Sequence, residues 1–184
     1  MQVALTMLLL AMPALVGAQA SDASSDSMPA FWKETREEAL ALGLPDLTLA
    51  ESAKAGRELR LWSGFGVTGT RLTRLHEVSG EWRGDQYYPV QSTQAPRQAR
   101  LPVDSAGALW RAATAAGLKE LPRQPMRPPS SIVIDDGYAV VIEWFDGTRY
   151  GVSGSLQPDY FCTPDDRRIL AVVRAVLGYA PLCK

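Results

Sequence analysis

Two Asp-Gly pairs divide the second half of the chain into short runs of apolar, β-branched and aromatic residues. The runs are Ser130–Ile134, Tyr138–Phe145 and 148–155, and the pairs lie at 136–137 and 146–147. Asp-Gly between such runs is a strong hairpin signal, because type I′ turns need residues that tolerate a positive φ. The pattern predicts a three-stranded meander whose middle strand, apolar on both faces, is central in a sheet.

A helix is predicted to follow this meander. Thr163 is a suitable N-cap, Pro164 suits the first helical position, and acidic residues follow in the first turn. Apolar residues then recur at helical spacing up to Leu177, and Gly178 is a natural stop. The same periodicity leaves three arginines of this helix in solvent, namely Arg167, Arg168 and Arg174.

The first half repeats this order of elements without a repeated sequence. Alternating residues predict strands at 58–63, 70–78 and 81–88, and a fourth extended piece at 97–103. Helical spacing predicts one helix at 29–42 and another at about 104–116, each followed by glycine. The stretch 46–55 remains ambiguous between a short helix and a loop.

Together these elements predict an α+β fold with antiparallel strands. The strands form two meanders, each closed by a helix, and an N-terminal helix precedes them. Four prolines in 121–129 predict a stiff linker between a first half at 29–120 and a second half at 130–184. We interpret 29–184 as one domain.

The N-terminus has the pattern of a secretory signal. An apolar run from Val3 to Val16 ends in Ala18-Gln19-Ala20, a small-x-small cleavage site. The run is shorter than the roughly 20 residues of a membrane span, so we expect cleavage after residue 20 and no span afterwards. Residues 21–28, rich in Ser and Asp, are predicted to form a disordered leader.

The chain contains no Asn, and Arg outnumbers Lys, which suggests a GC-rich bacterial source and therefore the periplasm or the medium as destination. In an exported protein, two cysteines predict a disulfide. Residues 178–183 can span roughly 20 Å when extended, and can therefore run back along a last helix of similar length. We expect Cys162 and Cys183 to be bonded, with the tail antiparallel to that helix.

Charge and motifs exclude several functions. Lys and Arg number 19 and Asp and Glu 20, which gives no basic surface for nucleic acid. Residues 64–69 read G-x-G-x-x-G, but a strand pattern follows where a dinucleotide site needs a helix. We interpret these glycines as a turn, with an anion-binding loop beside Arg71 and Arg74 as the alternative. No motif predicts a cofactor or a metal site.

Catalytic residues are few. His76 is the one histidine, so any Ser-His or Cys-His mechanism would need it, and its place on a strand favours an ordinary surface or rim position. The acidic pairs at 135–136 and 165–166 are explained by turn and cap chemistry. Carboxylates from different strands could still converge as a hydrolase pair, the candidates being Glu81, Asp85 and Glu143.

Aromatic and arginine residues on the strands of the first half are the best candidates for an interaction face. Protein interfaces favour Trp, Tyr and Arg, although a sheet also uses aromatics for packing. The possible face consists of Trp62, Arg71, Arg74, Trp82, Tyr87 and Tyr88.

The sequence therefore favours a small, exported, non-enzymatic protein that binds a protein partner, as an inhibitor, immunity or accessory factor of the bacterial envelope. A carrier with a tryptophan-lined pocket between sheet and helices is the first alternative. A carboxylate-dependent hydrolase is the second.

Overall fold

The computed structural model describes residues 32–49, 56–64, 69–88, 96–102, 104–122 and 138–183. It confirms the predicted α+β class, with helices and an antiparallel sheet. In chain order the elements are α1 (Trp32–Ala41), β1 (Glu58–Gly64), β2 (Arg71–Val78), β3 (Glu81–Tyr88), β4 (Arg97–Arg100), α2 (Ser105–Ala115), a 3₁₀ turn (Leu118–Glu120), β5 (Ala139–Phe145), β6 (Tyr150–Leu156), α3 (Pro158–Phe161) and α4 (Pro164–Leu177).

The described strands of both halves form a single six-stranded sheet. Its order is β4-β3-β2-β1-β5-β6, and every neighbouring pair is antiparallel. β1 joins the halves, because it pairs with β2 on one side and with β5 on the other. The hairpin predicted at 146–147 connects β5 and β6. The predicted strand 130–134 and the turn after it lie outside the described residues, so the second three-stranded meander remains a prediction.

One face of the sheet carries an apolar core. Leucine, valine, isoleucine and tryptophan side chains of β1, β2 and β5 pack there against α2 and α4. α2 contributes Trp110 and Ala113, and α4 contributes a stripe at helical spacing. The residues of this stripe are Ile169, Val172, Val173 and Val176.

The other face is also buried, although charged residues alternate along its strands. Every residue of β1 except the terminal Gly64 is buried. Trp32 and Ala39 of α1, together with Leu44, pack against apolar side chains of this face, including Trp62. The alternation of β1 would suit a strand with one wet face. Instead β1 lies in the middle of the sheet and is covered on both sides.

α4 begins and ends where the sequence predicts. The Thr163 hydroxyl accepts a hydrogen bond from the Asp166 backbone N–H at 3.1 Å, and the Asp166 carboxylate accepts one from the Thr163 backbone N–H at 2.9 Å. This reciprocal capping box satisfies two N–H groups that the helix itself cannot satisfy. Gly178 ends the helix with a φ of 76°. The Ser155 hydroxyl also donates to Asp166, which ties the cap to β6.

The predicted disulfide between Cys162 and Cys183 is present, with the Cα atoms 5.5 Å apart. It joins the residue before the α4 cap to the tail that follows α4. Closing a loop of this length restricts the unfolded chain and stabilises the fold by about 3 kcal/mol.

Other boundaries differ slightly from the prediction. α1 is described from Trp32, and β4 ends at Arg100 rather than continuing to 103. The sequence pattern did not predict α3, a single turn between Gln157 and Cys162, both of which have positive φ. None of the helices in the described parts of the chain combines the length and the apolar character needed to cross a membrane.

Gly151 is expected to be intolerant of a side chain. A Cβ at this position of β6 would overlap the indole ring of Trp144 on β5, its directly paired neighbour. We predict that Gly151→Ala lowers the free energy of unfolding by about 1–3 kcal/mol through overpacking, as measured by urea denaturation. Combined with Trp144→Leu, which removes the ring, the alanine should cost much less. Additive costs in this double-mutant cycle would contradict the prediction.

Candidate functional site

Four charged side chains from three strands meet on the α1-facing side of the sheet. This ionic cluster consists of Glu58 and Arg60 on β1, Arg74 on β2 and Glu143 on β5. Arg60 lies directly opposite Arg74 on one side and Glu143 on the other. Two arginines facing each other across a strand pair repel one another. The stability of the cluster therefore depends on which arginines each carboxylate contacts.

Glu58 resolves the repulsion by bridging both arginines. Its Oε1 accepts hydrogen bonds from Arg60 Nε at 2.7 Å and from Arg74 Nε at 2.8 Å, and its Oε2 accepts one from Arg74 Nη2 at 2.8 Å. Burial acts to raise the pKa of Glu58, but the hydrogen bonds and charges of Arg74 and Arg60 outweigh burial and hold that pKa below its ordinary value. Glu58 is therefore ionised at neutral pH.

Glu143 has different hydrogen-bond partners from Glu58. Its Oε1 accepts a hydrogen bond from the Tyr150 hydroxyl at 2.9 Å, and that hydroxyl accepts one from Trp32 Nε1 on α1 at 2.9 Å. Its Oε2 is buried without a hydrogen-bond partner, 3.8 Å from Arg60 Nη1. Burial raises the pKa of Glu143 above its ordinary value, and Arg60 only partly offsets this. Burial and the Glu143 charge also raise the pKa of Tyr150.

His76 and Asp85 lie beside the cluster. His76 Nε2 is 3.2 Å from Asp85 Oδ2, and Gln98 Nε2 donates to Asp85 Oδ1 at 3.1 Å. Burial, together with the charge of Arg74, lowers the pKa of His76, which favours the neutral ring. His76 is half-buried.

The position of these carboxylates does not suit hydrolysis. Asp85 and Glu143 occupy the same cross-strand row, but three strand spacings separate them, roughly 14 Å. Glycosidase pairs are about 5–10 Å apart and flank a cleft. Glu143 is only 2% exposed, and Glu81, the third candidate, projects into solvent. Glu58, Arg60 and Glu143 of the ionic cluster are buried on the α1-facing side of the sheet.

The structure separates the six residues of the predicted interaction face. Trp62 and Tyr87 are buried on the α1-facing side, where Arg74 is bound to Glu58. Trp82, Arg71 and Tyr88 alternate with them and lie on the opposite side of the sheet. The six residues therefore do not form one surface.

Trp82 belongs to the core beneath α2. Its ring stacks on Trp110 with centroids 5.0 Å apart, the Arg57 guanidinium lies over it, and Gly107 of α2 approaches it closely. The exposed part of the predicted face is the pair Arg71 and Tyr88, in which the guanidinium lies 4.6 Å from the ring centroid.

The other candidates from the sequence that the structure describes lie beside the predicted turn or in the first turn of a helix. Gly64 and Gly69 have φ values of 108° and 76°, as the turn interpretation predicts, while residues 65–68 are outside the described residues. Asp166 is a capping residue, and Asp165 lies 3.4 Å from Arg168. The pair at 135–136 is not among the described residues. Within the described ranges, no group of three or more His, Cys, Asp or Glu side chains is arranged to hold a metal ion.

An open groove lies between α4 and the disulfide-bonded tail. It has a volume of about 400 Å³. Its walls are apolar in the middle, and Arg167 and Arg174 of α4 are exposed on it. We call it the C-terminal groove. Its lining residues are Arg167, Leu170, Ala171, Arg174, Pro181, Leu182 and Cys183.

The segments around the disulfide also carry exposed aromatic and apolar side chains. Leu182, Tyr160 and Tyr179 are 72%, 58% and 56% exposed, the highest values among the large hydrophobic residues that the structure describes. Sequence reasoning placed the arginines of α4 in solvent but did not single out these three residues. A usable signal existed, since all three lie in short non-periodic segments next to the predicted disulfide.

No protein-family model, curated protein or solved structure matches this chain. The geometry of the described residues is therefore the basis for a functional proposal.

The two buried glutamates are expected to respond differently to the same substitution. Glu58→Gln removes the charge that binds two arginines and should cost about 3–5 kcal/mol, because the buried Arg60 and the partly buried Arg74 lose the anion hydrogen-bonded to both. Glu143→Gln keeps the acceptor for Tyr150 and should cost less than about 1 kcal/mol. Urea unfolding at neutral pH measures both. Equal losses would contradict this description of the cluster.

The same carboxyls predict opposite dependences of stability on pH. The lowered pKa of Glu58 gives stability that is complete above the ordinary value of 4.5 and is lost as pH falls through the lowered pKa. The raised pKa of Glu143 gives stability that is present at low pH and is lost as pH rises from 4.5 through the raised pKa.

Relative to the Glu143→Gln variant, the wild-type protein should therefore lose unfolding free energy as pH increases above 4.5. Urea titrations at intervals up to about pH 8 measure the difference. Parallel curves for the two proteins would show that Glu143 titrates at its ordinary pKa when folded.

Proposed function

We propose that the protein is a non-enzymatic binding protein exported to the bacterial envelope or medium, where it acts on a protein partner as an inhibitor, immunity or accessory factor. The observation that carries the proposal is that the segments joined by the disulfide hold the most exposed large hydrophobic side chains described, those of Tyr160, Tyr179 and Leu182. Tyrosine and arginine are enriched at interface hot spots, and Arg167 and Arg174 supply the arginines.

Two further features support this function. Of the candidate catalytic carboxylates, Glu143 is buried on the α1-facing side and Glu81 projects into solvent, so a binding role suits the fold better than a hydrolytic one. The disulfide holds the tail against α4 and so pre-organises the groove, which lowers the ordering cost of binding. The disulfide and the signal-like N-terminus support export, because such bonds persist in oxidising compartments.

Affinity capture tests the proposal. We expect the oxidised chain beginning at Ser21, immobilised and exposed to envelope extract, to retain one protein specifically. Tyr160→Ala/Tyr179→Ala should lose it, since truncation of interface aromatics commonly costs about 2 kcal/mol or more. Leu40→Ala/Leu49→Ala is the matched control, because these leucines are about as exposed but lie in and just after α1, away from the disulfide.

A third variant separates this surface from the exposed remainder of the predicted strand face. If Tyr88→Ala abolishes capture while the tyrosine pair does not, the partner binds the sheet and the assignment to the disulfide end is wrong. If the native chain retains no protein, the binding function itself is contradicted.

A further inference from the structure

The arginines of the C-terminal groove are the feature that identifies its ligand. Arg167 and Arg174 are seven residues apart on α4, which places them on the same face with a separation of about 10 Å along the axis. Both are exposed, and neither forms an ion pair with any residue that the structure describes. By contrast, Arg168 on the same helix lies 3.4 Å from Asp165.

The space between the two arginines is apolar. Leu170 and Ala171 lie one turn along the helix from Arg167, and Pro181 and Leu182 form the opposite wall. Ala180 packs against the core shared by α2 and α4 and Pro181 is half-buried, whereas Leu182, next to the bonded Cys183, is largely exposed. The bond between Cys162 and Cys183 therefore keeps the second wall in place.

We propose that this groove binds an acidic segment of the partner protein, with two carboxylates about 10 Å apart and an apolar side chain between them. The proposal rests on the binding function above and specifies its partner. Each carboxylate would accept hydrogen bonds from one guanidinium, a geometry in which arginine forms strong paired contacts. The apolar side chain would contact the exposed Ala171 and Leu182.

Two other classes of ligand fit the charges less well. Recognition of anionic membranes by basic residues generally uses clusters of about four to eight, whereas this groove has two arginines. The whole chain has a formal net charge of −1, so no broad positive field would attract nucleic acid. An acidic peptide segment needs only the two positive charges that the groove provides.

A short peptide tests the chemistry directly. In acetyl-Glu-Pro-Leu-Glu-amide the carboxylates are three residues apart, or about 9 Å in the polyproline II conformation. We expect millimolar peptide to shift the NMR signals of the Ala171 and Leu182 amides and of the Arg167 and Arg174 Nε–H groups. Peptides with Gln or Lys in place of Glu should shift them little. Equal shifts by the Gln peptide, or none by the Glu peptide, would overturn the proposal.

Variants identify the residues responsible. Arg167→Gln/Arg174→Gln should weaken binding of the Glu peptide about tenfold, because two exposed ion pairs are lost. Arg168→Gln/Arg111→Gln removes two exposed arginines outside the groove and should leave binding unchanged. Cys162→Ser/Cys183→Ser, shown to be folded, should also weaken binding, because the second wall is released. Binding that ignores the first or the third variant would overturn the proposal.

The capture experiment and the peptide experiment distinguish failure of the proposed function from failure of the acidic-segment proposal. If capture from envelope extract depends on Tyr160 and Tyr179 but not on Arg167 and Arg174, the protein binds a partner and the acidic-segment proposal is wrong. If the peptide binds as expected while no protein is captured, the groove chemistry stands and the envelope partner is contradicted. Sedimentation with phosphatidylglycerol vesicles that depends on the two arginines, without peptide binding, would replace the segment by a membrane surface.

Discussion

The carboxylate of Glu58 is the interaction on which the centre of the fold depends. β1 pairs with a strand from each half of the chain and is covered on both faces, so its charged residues cannot reach water. Arg60 faces Arg74 directly, and an anion hydrogen-bonded to both allows the buried Arg60 and the partly buried Arg74 to lie side by side. Because that anion lies on β1 itself, the strand brings its own counter-charge into the core.

The two faces of the sheet are stabilised by different kinds of interaction. The side facing α2 and α4 is apolar and is held by packing, which tolerates small adjustments of side chains. The side facing α1 is held partly by directional hydrogen bonds, from Trp32 to Tyr150 and from Arg60 Nη2 to the Pro45 carbonyl at 2.6 Å. Such bonds fix the position of α1 and the segment after it, because a shifted helix would leave buried polar groups unsatisfied.

This use of residues explains why the most exposed large hydrophobic side chains described lie in the last part of the chain. The tryptophans of the first half pack against other side chains of the fold, as in the contact between Trp82 and Trp110. The aromatic side chains that remain most exposed, those of Tyr160 and Tyr179, belong to the two segments that the disulfide joins. The disulfide fixes the end of a short tail that packs on the core at Ala180, while Leu182 and Tyr179 of the same tail stay exposed.

The sequence by itself determined the elements whose signals are local. α4 follows from its cap, its proline and its apolar period, and its exposed arginines follow from the same period. The turn at 146–147 follows from residues that tolerate a positive φ, and the disulfide from the presence of two cysteines at a reachable separation. Each of these depends on residues within one or two turns of chain, or on a simple distance limit.

Only the tertiary structure decided that both faces of β1 are buried. The alternation of Leu59, Arg60, Leu61 and Trp62 is the same in a half-exposed edge strand and in a covered central one. The pairing of β1 with β5, from the distant second half, makes it central, and the guanidinium–carboxylate contacts across strands make its charges compatible with burial. Likewise, whether Trp62 or Tyr179 meets solvent depends on what packs over it. Local sequence does not encode that, because burial arises from contacts between residues far apart in the chain.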